Sequence, residues 1–167
     1  MEFFNNRLLK KPQWEKASYR RKMWKKFKRT KNFTINELSA STTAETRGID
    51  NSIPKKLENN AKRLLEFIQG IRDAWGSAIL ITSGYRCSEL NEAVNGSKTS
   101  AHQTCNAVDI WPSNGKFNEF KEFILEYLKD KMWDQCIVEK SGKSRWIHLG
   151  LYNNSGEQRQ QIFSLNK

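Results

Sequence analysis

Cysteine is scarce in this chain. The three present, Cys87, Cys105 and Cys136, are odd in number and far apart, which excludes a disulfide framework as the source of stability. Long apolar runs are missing: no stretch approaches the roughly 20 residues a spanning helix needs, so a transmembrane helix is excluded. The opening MEFFNNRLLKKPQW has neither an apolar h-region nor a small-residue cleavage site, so no Sec signal peptide is expected. Histidine is limited to His102 and His148. Aromatic residues are not scarce. Six Trp, nine Phe and four Tyr recur along the 167 residues, which excludes low-complexity disorder and suffices for one compact domain with an appendage.

Acidic residues are short only at one end. Residues 1 to 31 set twelve Lys or Arg against Glu2 and Glu15, and residues 32 to 167 are close to neutral, so nearly all of the net charge of +11 belongs to an N-terminal arm. The asymmetry divides the chain into a basic arm, residues 1–31, and a main domain, residues 32–167. Within the arm Trp14, Ala17, Trp24 and Phe27 recur at helical spacing among Lys and Arg. A basic amphipathic helix of this kind suits an anionic surface: a membrane leaflet, a cell-wall polymer such as teichoic acid, or nucleic acid. Its aromatic face would equally suit packing on the main domain.

The main domain reads as α+β. Thr34-Ile-Asn-Glu37 fits a capping box and starts a short helix that runs to the turn at Gly48–Ser52. Pro54 suits the first turn of the next helix. There Leu57, Ala61, Leu64, Leu65, Ile68, Ile71 and Trp75 form one apolar stripe that stops at Gly76, a core face. Residues 78–82 read as a buried strand, 88–94 as a short helix, 107–111 as a second strand stopped by Pro112, and Phe117 to Leu128 as an amphipathic helix. Residues 135–140 and 145–151 form a hairpin through Ser141-Gly142-Lys143-Ser144, and residues 160–163 add an edge strand. Helices and strands are segregated, with no internal repeat.

The two histidines carry the chemistry. His102 lies in the polar loop that feeds the second strand, and Asp109 lies seven residues on, within that strand, between Val108 and Ile110. A carboxylate among core residues needs compensation, which a metal ion supplies. His148 stands on the second hairpin strand. Two imidazoles and a carboxylate make a three-ligand set with the fourth position open, the pattern of a catalytic zinc site; a structural zinc would use Cys and close all four. A base is needed beside such a site, and Glu139 is the candidate. With a hairpin loop of two or four residues Glu139 falls opposite Trp146 and His148 opposite Ile137, so Glu139 and His148 share a face. A three-residue loop would separate them, and an ordinary exposed strand residue is the plain alternative for Glu139.

These residues stand in a familiar pattern. Ser100-Ala-His-Gln-Thr-Cys-Asn-Ala-Val-Asp109 resembles the Ser-x-His-x-x-Gly-x-Ala-x-Asp signature of zinc peptidoglycan peptidases with a hedgehog-like fold. These comprise the D-alanyl-D-alanine carboxypeptidases and dipeptidases and the L-alanyl-D-glutamate endolysins. The phage and bacterial subgroup also carries Thr-Ser-Gly-Tyr-Arg, Asp-Gln-x-Ile-x-Glu and Trp-x-His segments, matched by Thr82–Arg86, Asp134–Glu139 and Trp146–His148. An upstream Glu-Leu…Gly-Ile-Asp-Asn…Pro stretch matches Glu37 through Pro54. The resemblance spans about residues 33–151, in the family's order. It implies that His102, Asp109 and His148 bind Zn²⁺, that Glu139 is general base and acid, and that Arg86 faces the substrate carbonyl or carboxylate. Other branches carry the glutamate nearer the last histidine. Read without the resemblance, Arg86 is better explained as a structural ion-pair partner.

Cys105 departs from the pattern, standing where the family has Gly; if the position needs φ > 0, Cys there costs roughly 1 kcal/mol. The resemblance implies a peptidase acting on peptidoglycan stem peptides, as a phage lysin or a virion-borne wall hydrolase made in the cytoplasm and acting on the wall after release. The competing reading is a non-catalytic virion structural or binding protein that keeps the fold and docks its arm to nucleic acid or a partner.

Overall fold

The computed structural model describes residues 29–166. The arm's aromatic helix, read at Trp14 to Phe27, lies outside the described residues.

The capping box forms as its sequence dictates. Thr34 Oγ1 accepts from the Glu37 amide, and Glu37 reaches back to the Thr34 amide at 2.6 Å. The helix it starts is shorter than expected. α1 (Ile35–Ser39) stops where Ala40 turns extended, and Ser41 caps a separate α2 (Thr42–Arg47) by accepting from the Ala44 amide. Ser41 is itself a strong N-cap, and the uninterrupted-helix reading passed over it. Pro54 likewise precedes a short 3-10 turn, Lys55–Leu57, and α3 (Glu58–Trp75) begins after it. The expected α3 stripe is core: Ala61, Leu64, Leu65, Ile68 and Ile71 are buried, and each large aliphatic among them contributes roughly 1.5–3 kcal/mol by leaving water. Gly76 ends the helix in the left-handed region at φ +72°.

The remaining elements are β1 (Ile79–Ser83), α4 (Ser88–Ala93), a 3-10 turn at Ala101–Thr104, β2 (Ala107–Pro112), α5 (Phe117–Tyr127), β3 (Gln135–Ser141), β4 (Ser144–Gly150) and β5 (Gln161–Asn166). They form a five-stranded sheet in the order β1-β2-β4-β3-β5, antiparallel except for the β3/β5 pair. The fold is therefore α+β, as read. Among the described residues, no helix is long and apolar enough to cross a membrane.

Strand periodicity divides the sheet into two faces. Val108 and Ile110 of β2 and Ile147 and Leu149 of β4 join the core with α3 and with Phe117, Phe120 and Ile124 of α5. The intervening Asp109 and His148 therefore point to the opposite face. They are direct cross-strand partners, Asp109 facing His148. The β3–β4 turn has two residues, Gly142 and Lys143, with Ser141 paired to Ser144. Gly142 takes φ +56°, the left-handed value that a tight hairpin turn asks of its first central residue. Glu139 accordingly pairs with Trp146, and Ile137 with His148, the register on which the shared face of Glu139 and His148 depends.

Candidate metal centre

Three segments deliver the candidate ligands. β2 and β4 supply Asp109 and His148 through their register. His102 comes from the 3-10 turn, which closes at Cys105 with φ +53° and ψ +35° and is tied down by the Asn106 amide donating to the Ala101 carbonyl at 3.0 Å. The turn does need a left-handed residue here, so Cys105 carries the strain that Gly would not, roughly 1 kcal/mol. Its side chain is fully buried in the core, and burial pushes its thiol pKa up to about 12. It is an inert packing group and takes no part in the ligand cluster.

The ligand atoms converge tightly. His102 Nε2 lies 3.1 Å from His148 Nδ1 and 3.2 Å from Asp109 Oδ1, and His148 Nδ1 lies 2.9 Å from Asp109 Oδ1. All three residues are buried. The His102 tautomer follows from its other nitrogen: Nδ1 sits 2.6 Å from the Gly84 carbonyl and must donate to it, which leaves a lone pair on Nε2. Gly84 is required at that spot. A Cβ on it would come within 2.7 Å of Leu38 Cα, while the Tyr85 amide donates to the Leu38 carbonyl at 2.6 Å. Without an ion, one imidazole proton on His148 would have to serve two acceptors.

A divalent cation fits this donor set. Three ligands held about 2.1 Å from a tetrahedral zinc lie roughly 3.4 Å from one another, a few tenths beyond the spacing seen. An N₂O set without thiolate, offered from one side, leaves a coordination position for solvent or substrate.

The surrounding groups hold this arrangement. Asp109 Oδ2 accepts from Arg86 Nη2 at 2.7 Å, and Arg86 Nε donates to Ser83 Oγ at 2.9 Å. A register shift between Ile81 and Ser83 sets Ser83 opposite Asp109. Arg86 thus orients the candidate ligand carboxylate and lines the cleft as well. Asn51 belongs to the Gly48–Ser52 turn and to the Gly-Ile-Asp-Asn stretch of the family pattern, neither of which specifies a role for it. In the structure its buried amide donates to the carbonyls of Ser39 (2.8 Å) and Tyr85 (2.9 Å) and accepts from the Cys87 amide (2.8 Å), clamping the backbone on both sides of Arg86. Replacing Asn51 with Leu should cost about 2–4 kcal/mol, since three buried backbone groups lose their partner at once. Denaturant unfolding reads this directly, and a loss below about 0.5 kcal/mol would dismiss the clamp.

Glu139 is buried, at 5% exposure. It lines one cavity of about 570 Å³ together with Arg86, His102, Asp109, Trp146 and His148, so the exposed-strand alternative does not hold. A second hollow of about 510 Å³, walled by Ser41, Thr42, Thr82 and Tyr85, meets the first at Arg86, Asp109 and Trp146.

Residues 31–150, well over half of the chain, match the family model described as Peptidase M15. This chain belongs to the peptidase M15 family. No curated protein matches it. The M15 family is one of zinc-dependent peptidases, and this M15 chain carries a cluster able to hold a metal ion where the sequence motif puts it.

The cluster should make this M15 domain acid-labile once metal is stripped. Burial holds the His102 imidazole below its ordinary value of 6.5, with Asp109 opposing in part. Burial would raise the Asp109 carboxyl, but His102 and His148 outweigh it and hold it well below the usual carboxylate range; the Arg86 contact acts the same way. In both cases the unfolded chain binds a proton that the folded chain refuses, so stability rises with pH. It should be lost as pH falls below about 6.5, where the unfolded imidazole charges, and again below about 3.8, where the unfolded carboxyl protonates. Thermal melts of chelator-treated protein between these limits check this, and a flat Tm would contradict it.

Proposed function

We propose that this M15 domain is a zinc-dependent peptidase that hydrolyses the stem peptides of peptidoglycan. The observation that carries the reading is the convergence of His102 Nε2, Asp109 Oδ1 and His148 Nδ1 within 3.2 Å of one another in the cavity that Glu139 lines. When bound at those three atoms, zinc supplies Lewis-acid polarisation of the scissile carbonyl and acidifies water. Glu139 takes a proton from the attacking water and delivers it to the amine nitrogen as the C–N bond breaks. Arg86 keeps Asp109 ionised and turned to the imidazoles, and its place in the cleft lets it meet the substrate carbonyl or a substrate carboxylate.

The second hollow, which meets the first at Arg86, Asp109 and Trp146, leaves room for a peptide to continue past the site. This favours an internal bond, such as L-Ala–D-Glu, over a terminal D-Ala–D-Ala. We further propose that the domain acts on the cell wall, after release from a host cell or from a virion. The basic arm, residues 1–31, would hold it to an anionic wall polymer, lipid leaflet or nucleic acid. A non-catalytic virion protein has no use for a complete donor set around a buried general base. The test is digestion of purified peptidoglycan by zinc-loaded protein with mass spectrometry of the products. New stem-peptide termini that vanish with chelator support the reading. Intact peptidoglycan in the presence of demonstrably loaded protein rejects it.

A further inference from the structure

β5 lies beyond the M15 match, which ends at residue 150, and it carries three large exposed apolar side chains, Ile162, Phe163 and Leu165. Two of them are not scattered. In the parallel pairing with β3, Phe163 stands beside Ile137 and Leu165 beside Glu139, so both project to the face that holds the candidate metal centre. Both line the same cavity as His102, Asp109, Glu139 and His148. Ile162, one residue out of phase, is on the other face. The cleft next to the general base thus has an apolar wall that is 38–39% exposed.

This wall is held firmly. Asp134, 1% exposed, accepts from Arg159 Nε at 2.6 Å and from Arg159 Nη2 at 2.9 Å, a bidentate pair. Gln160 then turns through φ +53°, and the Gln161 amide donates to the Asp134 carbonyl at 2.8 Å, starting the β3/β5 ladder. A sheet edge is ordinarily blunted by charge or proline. Here Phe and Leu are kept exposed and rigidly aimed into a site that is otherwise mostly polar. An apolar surface fixed in advance at a reacting centre favours an apolar substrate group without ordering cost.

We propose that β5 is a specificity wall: Phe163 and Leu165 receive an apolar, methyl-bearing side chain of the substrate peptide beside the scissile bond. The proposal deepens the peptidase reading and rests on it. The occupant is substrate because the wall is continuous with the cavity of Glu139 and the ligand cluster.

The test compares wild type with the Phe163→Ala/Leu165→Ala double variant on a synthetic stem pentapeptide and on analogues with each alanine in turn changed to glycine. Wild type should favour alanine over glycine at one position about five- to tenfold, through KM. In the double variant the parent KM should rise about tenfold, the preference at that position should vanish, and kcat should change less than threefold. Zinc content should match wild type, Tm should fall by no more than a few degrees because both side chains are more than a third exposed, and Phe163→Leu should restore most of the lost affinity. Calorimetric binding of the same peptides to Glu139→Gln protein should show the same contrast without turnover. An unchanged KM, or an alanine preference that survives the double variant, overturns the wall. A change of oligomeric state in the variant with unchanged peptide binding would overturn it in favour of a contact between chains. If wild type cleaves nothing, the peptidase reading fails on its own, and calorimetry with the intact peptide still decides whether Phe163 and Leu165 bind it.

Discussion

Glu139→Ala should keep its metal and lose hydrolysis by about 10²- to 10⁴-fold, the usual contribution of a positioned general acid–base. The side chain is buried on the site face of β3, opposite Trp146 and two pairs along from Ile137–His148. It is absent from the group of three atoms that converge as ligands. Removing it therefore leaves the grip on the ion untouched and takes away the proton carrier. Glu139→Gln preserves the shape and should lose nearly as much, which separates the missing proton from a missing volume. The kinetics should show the fall in kcat, with KM changed little. Activity within about threefold of wild type in either variant would remove Glu139 from the mechanism.

Asp109→Ala should have the largest combined effect, because one carboxylate does two jobs. Oδ1 meets both imidazoles, at 3.2 and 2.9 Å, and Oδ2 holds Arg86 at 2.7 Å. Losing Oδ1 removes the anionic ligand, so zinc affinity should fall by more than the 10- to 100-fold typical of an outer contact, and activity with it. Losing Oδ2 leaves Arg86, whose side chain is 18% exposed, without its carboxylate and with only Ser83 Oγ as a partner, at a cost near 3 kcal/mol. His148→Ala separates the two effects. It should also lose zinc, but it leaves the Arg86–Asp109 pair standing, so the metal-free protein should melt closer to wild type. Titration calorimetry and melts of the metal-free proteins measure each part. Equal melting of the two variants would mean that the Arg86 pair stabilises nothing.

Much of this was legible in the residues, for identifiable reasons. α3 declared itself because a 3.6-residue apolar period over five turns has no competing explanation. The shared face of Glu139 and His148 was legible because a two-residue turn at Gly142-Lys143 fixes which residues face each other, and side-chain alternation does the rest; the pairing of Asp109 with His148 was not, because nothing local says that β2 lies beside β4. The break between α1 and α2 was not, since a capping serine inside an apparently continuous segment gives no periodic signal. The second hold on Asp109 was only half legible. Arg86 was flagged as substrate-facing or structural, and the structure engages it with Asp109 and Ser83 while keeping it on the cleft. The clamp by Asn51 was hidden because hydrogen bonds to the backbone of Ser39, Tyr85 and Cys87 depend on a chain path no local pattern specifies. Arg159 had no signal at all; its tie to Asp134 exists only because β5 returns alongside β3.

The proposed chemistry requires one cation held by two imidazoles and a carboxylate. X-ray absorption at the zinc edge of the zinc-loaded protein tests this most directly. It should show about one zinc per chain with oxygen and nitrogen neighbours near 2.0–2.1 Å, multiple scattering from two imidazoles, and no sulfur shell near 2.3 Å. Protein that takes up no stoichiometric zinc, or zinc surrounded by thiolate sulfur, would contradict it.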